Sequence, residues 1–111
     1  MRLEQQTVDG VIVVEVHAQN LDVSNSAALR EAIEPHITEN TRMVLDLSPV
    51  EFVDSSGLGA ILSCLRKVST GDGDLRVCGA RPQVQSLFEM VRLDRILQIY
   101  PDRDEAVASF R

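Results

Sequence analysis

Apolar and polar positions change rhythm several times along the chain, and each change marks an element. Leu3 to Val8 reads as a short strand, and Asp9-Gly10 after it is a strong hairpin turn signal. Val11-Ile12-Val13-Val14-Glu15-Val16 is β-branched and nearly continuous, the pattern of a strand buried on both faces. From Ala18 to Ser26 the chain is polar, with Asp22 and Ser24 both placed to cap a helix. That helix is predicted over Ala27 to Glu39, where Leu29, Ile33 and Ile37 fall four residues apart on one side. Pro35 removes a helical hydrogen bond and clashes with the preceding turn, so the helix is expected to kink or end there. Met43 to Leu47 is the next strand, and Ser48 to Val53 a connection carrying one more short apolar piece.

The clearest helix runs from about Ser56 to Val68, with Leu58, Ile61, Leu62 and Leu65 as its apolar stripe. Arg66 and Lys67 complement its C-terminal dipole, and Gly71 and Gly73 are expected to stop it. Leu75 to Cys78 is a further strand. Pro82 opens a helix to about Val91 whose inward side is Val84, Leu87, Phe88 and Val91. Ile96 to Tyr100 is expected as the last strand, and Asp102 caps a closing helix to Phe110. A hairpin followed by alternating helices and strands implies an α/β fold. The expected architecture is a mixed, mostly parallel sheet of four to five strands, covered by about four helices, in one domain over residues 1–111.

Composition narrows the function classes. Hydrophobic residues make up 44% and charged residues 25%, which suits a globular domain and excludes a disordered one. The net charge of -6 argues against nucleic acid, whose phosphates need a basic face. Cys64 and Cys78 each lie in an apolar run with no metal-ligand spacing around them, so both read as buried small hydrophobes. The polar opening segment, Met1 to Gln6, is no signal peptide, and no stretch approaches a membrane span. A cytoplasmic protein without direct membrane insertion, cofactor or metal is the expectation.

The informative stretch is Val44 to Ser63, VLDLSPVEFVDSSGLGAILS. A buried strand leads to Asp54-Ser55-Ser56, and a helix starts at once. The first turn of a helix offers free backbone amides and partial positive charge, which suit a hydroxyl cap or a phosphate. Gly57, Gly59 and Ala60 lack bulk, so another backbone or a nucleotide could approach closely. By position alone Asp54 or Ser55 is most often only a helix cap. No G-x-S-x-G elbow surrounds these serines, and His17 and His36 read as structural or surface residues, so an enzyme is not expected. A response-regulator receiver is also excluded, since no lysine follows Lys67.

Asp54 to Gly59, DSSGLG, preceded by LDLSPVEFV, resembles the STAS domain of the anti-sigma factor antagonists. The likeness extends over nearly the whole chain, through Leu21-Asp22 before the first helix and VQSLFEMVRLDRIL at Val84 to Leu97. The family often has Gly-Glu-Leu-Asp where this chain has Gln19-Asn20-Leu21-Asp22, so Asp22 is retained and Gln19 replaces the glycine. In that family the serine after the motif aspartate is phosphorylated by a partner kinase that is also the anti-sigma factor. The resemblance therefore implies Ser55 as acceptor, with Ser56 the second choice. It further implies a docking surface of Asp22, Asp54, Ser55, Ser56, Gly57, Leu58 and Gly59, which binds the anti-sigma factor serine kinase and frees a sigma factor while Ser55 is unphosphorylated. A serine phosphatase would reset the switch. Asp54 could orient the Ser55 hydroxyl or only cap the helix. The protein is expected to be monomeric alone. The alternative within the same family is a STAS subunit of a membrane transport or larger signalling complex.

Overall fold

The computed structural model describes residues 1–111. Two strands, β1 (Leu3–Val8) and β2 (Val11–Val16), form the hairpin. Asp9 and Gly10 both take positive φ, 52° and 78°, which two-residue hairpin turns of this kind require. β3 (Asn20–Leu21), α1 (Ser26–Ile33) and β4 (Arg42–Asp46) follow. Next come β5 (Phe52–Val53), α2 (Ser55–Thr70) and β6 (Asp74–Cys78). The chain ends with α3 (Pro82–Met90), β7 (Ile99–Tyr100) and α4 (Arg103–Ala108).

The main sheet has the order β1-β2-β4-β6-β7, and only β1 runs antiparallel to its neighbour. This is the mixed, mostly parallel five-stranded sheet with four helices that the sequence predicts. The crossovers step across the sheet in one direction, so a common hand places α1, α2 and α3 on one face. There Leu29, Ile33, Ile61, Cys64, Val68, Val84 and Phe88 meet the inner side chains of the strands. α4 covers the other face, where Ala106 and Val107 pack on Val11, Val13, Val44 and Cys78. Both cysteines are buried and free, as expected.

Several local expectations are corrected. α1 begins at Ser26, and neither Asp22 nor Ser24 caps it: the Asp22 carboxylate accepts from the amide and hydroxyl of Ser24 within its own loop. The helix ends at Ile33, and Pro35 lies in a short 3-10 turn, because a proline has no amide to continue the ladder. The α2 stripe is rotated toward Gly57, Ile61, Cys64 and Val68, while Leu62 and Leu65 are half-buried. α2 does stop at Gly71, its C-cap, as expected, and runs two residues past Val68 to Thr70; Asp72 then takes the left-handed conformation. Val91 is 49% exposed, since α3 stops one residue earlier. Ile96 is 63% exposed in a turn, and the last strand shrinks to Ile99–Tyr100.

The short strands β3 and β5 pair in parallel as a second, two-stranded sheet beside the first. They bring Leu21 against the first turn of α2 so closely that a Cβ added at Gly57 would lie 2.5 Å from the Leu21 carbonyl oxygen. Gly59, two residues on and so on the other side of the helix, faces open space.

On the opposite face α4 is fastened by charge. One Arg103 nitrogen donates to Glu15 Oε2 and to Asp46 Oδ2, each at 2.7 Å. Asp46 is 7% exposed. Burial alone would push its carboxyl up, but hydrogen bonds from Arg103 and the Ser48 amide, with the charge of Arg103, hold it below the ordinary value of 3.8. The Arg103 guanidinium is in turn raised, foremost by its bond to Asp46.

Two stability outcomes follow from these contacts. Gly57→Ala forces backbone to shift at Leu21 and costs about 1–3 kcal/mol in urea unfolding, whereas Gly59→Ala gains up to about 1 kcal/mol from helix propensity. Arg103→Met leaves the Asp46 carboxylate without its ionic partner and costs about 2 kcal/mol at pH 7. A lowered folded-state pKa contributes stability above the unfolded value and loses it as the pH falls through the folded one. The gap between wild type and Arg103→Met therefore narrows in acid, below about pH 3.8.

Candidate functional site

At the C-terminal end of β4 the chain runs through Ser48–Glu51 and β5 into α2. Open α/β sheets place binding sites at these carboxyl ends. Asp54 is the N-cap of α2: its backbone is extended and its Oδ1 accepts from the Gly57 amide at 2.9 Å. Its other oxygen, Oδ2, accepts from the Val23 amide at 3.2 Å. The same residue's own amide donates to the Leu21 carbonyl at 3.0 Å. Two of these bonds tie the start of α2 across to Leu21 and Val23, and the third caps the helix itself. Of the two alternatives open for Asp54, the structure contains the cap; the Ser55 hydroxyl makes no hydrogen bond to it.

The 22–25 loop is also stiffened from within. Asn25 Oδ1 accepts from the Asp22 amide at 3.0 Å, and Asn25 Nδ2 donates to the Asn20 carbonyl at 2.7 Å. Val23 is left at the tip, 77% exposed. On the α2 side Ser55 is exposed, Ser56 half-buried, and Gly59 exposed. The Ser55 and Ser56 amides have no intrahelical acceptor, so donors and the positive end of the helix dipole surround the Ser55 hydroxyl.

The structure brings Asp22, Asp54, Ser55, Ser56 and Gly59 together on one surface. Gly57 and Leu58 are buried beneath it, Gly57 under Leu21 and Leu58 in the core, so these two shape the surface from below. The room at Gly57 is taken by the Leu21 backbone, not by a ligand.

Beside this surface lies a groove the sequence reading missed. It measures about 350 Å³ between β5 and α3, and Phe52, Val53, Val84, Leu87 and Met90 line it. Phe52 is 47% and Met90 78% exposed. Phe52 in a connection and Met90 off the α3 stripe were the available signals. A larger hollow of about 430 Å³ lies at the opposite end of the sheet, where β4 and β6 begin, and its lining is polar.

Nucleophilic chemistry has little support among the side chains. Burial, with the Glu34 charge adding, pushes the Cys64 thiol up to about 11; burial, with Asp46 adding, pushes Cys78 up to about 12. Both thiols stay protonated and weakly nucleophilic at neutral pH. Neither histidine hydrogen-bonds Ser55 or Ser56. His17 instead lies by Glu4 and Glu15, three side chains whose ligand atoms fall within 4.8 Å of one another. No helix is long and apolar enough to cross a membrane.

Comparison with known proteins gives this geometry a family. The STAS domain model matches residues 2–106. The chain is similar to the "Anti-sigma F factor antagonist" of Paenibacillus polymyxa, 32% identical over 96% of this chain and 92% of that protein. The crystal structure of an anti-sigma factor antagonist from Mycobacterium paratuberculosis superposes with a TM-score of 0.85 at 28% identity, over 97% of this chain and 92% of the other. SpoIIAA, another anti-sigma factor antagonist, shares the fold: its unphosphorylated form gives a TM-score of 0.78 at 20% identity over 99% of this chain and 96% of SpoIIAA. Its phosphorylated form, from Bacillus, gives 0.71 at 19%, over 99% and 100%. With the motif Asp54–Gly59 on the strand-to-helix turn and the model spanning nearly all of it, this chain belongs to the STAS domain family.

Proposed function

We propose that this protein is a non-enzymatic, phosphorylation-controlled anti-sigma factor antagonist, and that Ser55 carries the switch. The observation that carries the reading is the exposed Ser55 hydroxyl on the first residue of α2, beside a loop that Asp54 holds in place. Ser56, half-buried, is the poorer acceptor. The naming of relatives across nearly the full length of the chain as anti-sigma factor antagonists supports the same role. So does the description of the fold relative SpoIIAA in both unphosphorylated and phosphorylated forms.

In this reading the partner is an anti-sigma factor that is also a serine kinase. The unphosphorylated surface of Asp22, Val23, Asp54, Ser55, Ser56 and Gly59 docks on it and frees a sigma factor in the cytoplasm. Phosphorylation adds about -1.5 to -2 charges and three acceptor oxygens at one point. In the free protein the helix N-terminus offsets that charge by roughly 0.3–1 kcal/mol. In the complex the phosphate would stand beside the Asp54 carboxylate and lose its water. A net loss of about 3 kcal/mol there lowers affinity more than a hundredfold. No refolding is needed, because a local charge is enough to break the contact. A serine phosphatase removes it and restores binding.

The test is affinity for the anti-sigma kinases of the same genome, measured by calorimetry. Ser55→Ala should bind one of them within about threefold of wild type, and Ser55→Asp about a hundredfold or more weaker. Equal binding by both variants, or no binding by the wild type to any of these kinases, contradicts the proposal.

A further inference from the structure

The β1–β2 register sets Glu4 directly opposite Glu15. Like charges facing each other across an antiparallel pair repel, and the arrangement calls for a cation. His17 follows β2 two residues after Glu15, so it falls on the same side of the strand. Its Nε2 lies 3.1 Å from Glu15 Oε1 and 3.3 Å from Glu4 Oε2. Yet this nitrogen is enclosed and makes no hydrogen bond, although both oxygens are near enough for one. The two oxygens are therefore off the line on which an Nε2 proton would point.

That misfit for a proton suits a metal ion. Ligands held about 2.0–2.2 Å from one ion, at angles between octahedral and tetrahedral, stand roughly 3–3.4 Å from one another. The outer carboxylate oxygens are occupied in the way that orients metal ligands: Glu15 Oε2 by Arg103 at 2.7 Å, and Glu4 Oε1 by Arg2 at 3.4 Å. A hollow of about 90 Å³, lined by Glu4, Gln5, Gln6, Glu15 and Arg103, leaves room for water.

We propose that Glu4, Glu15 and His17 form a site for a divalent transition cation of the Zn²⁺ or Mn²⁺ kind. Two carboxylate oxygens and one imidazole nitrogen are the protein ligands, and water completes the shell. An imidazole ligand selects such ions over Ca²⁺ or Mg²⁺, which take oxygen almost alone. The nearby guanidiniums cancel part of the carboxylate charge and set a modest affinity. Binding ties the edge strand β1 to β2 and uses none of the residues around Ser55.

The experiment is Zn²⁺ titration of the full chain against a chromogenic chelator, with Mn²⁺ broadening of amide signals in nitrogen-15 spectra. One Zn²⁺ should bind per chain, and Glu4→Gln and His17→Gln should each weaken it by about tenfold or more. Glu4 is exposed, so its replacement leaves the fold intact. Mn²⁺ should broaden Leu3–Gln5 and Val14–Ala18 before any residue near His36. No Zn²⁺ binding by the wild type overturns the site. So does binding that both substitutions leave unchanged, or broadening centred on another region.

Discussion

The carboxylate of Asp54 accepts one amide from its own helix and one from the loop that follows β3. Most of the functional geometry depends on that pair of bonds. The first fixes where α2 begins, and so puts Ser55 on the first turn with its hydroxyl outward. The second holds the 22–25 loop beside that turn. Gly57 lets the two segments close up, because any side chain there would meet the Leu21 carbonyl. A helix cap is worth about 1 kcal/mol in general; here the same group also builds a composite surface from segments 31 residues apart in sequence.

The opposite face of the sheet follows another logic. α4 buries few apolar side chains, and the Arg103 contacts with Glu15 and Asp46 fix its position at the carboxyl end of the strands. A buried carboxylate is tolerated there only because a guanidinium and a backbone amide meet it. The same Glu15 faces Glu4 across the hairpin, so one charge network runs from the sheet edge to its centre.

Much of this was legible in the sequence where periodicity is strong. The hairpin follows from Asp9-Gly10 between β-branched runs, and α2 and α3 follow from apolar spacing. β3 and β5 were not legible, because two residues carry no period and their pairing is a tertiary fact. The α2 stripe turned because close packing of Gly57 on Leu21 rotates the helix so that Cys64 and Val68 point inward. Asp22 and Ser24 look like caps, yet both satisfy each other in their own loop. At the site, Asp54 and Ser55 could be picked out from the motif, whereas the bond to Val23 and the Phe52–Met90 groove needed the third dimension.

The claim that Ser55 carries the switch is tested most directly by mapping the phosphate. The purified protein is incubated with ATP and each anti-sigma kinase encoded in its genome, then digested and sequenced by mass spectrometry. The account predicts a single phosphate on Ser55, absent from Ser55→Ala under the same conditions. A phosphate on Ser24 or Ser56 with Ser55 unmodified, or none from any such kinase, would contradict it.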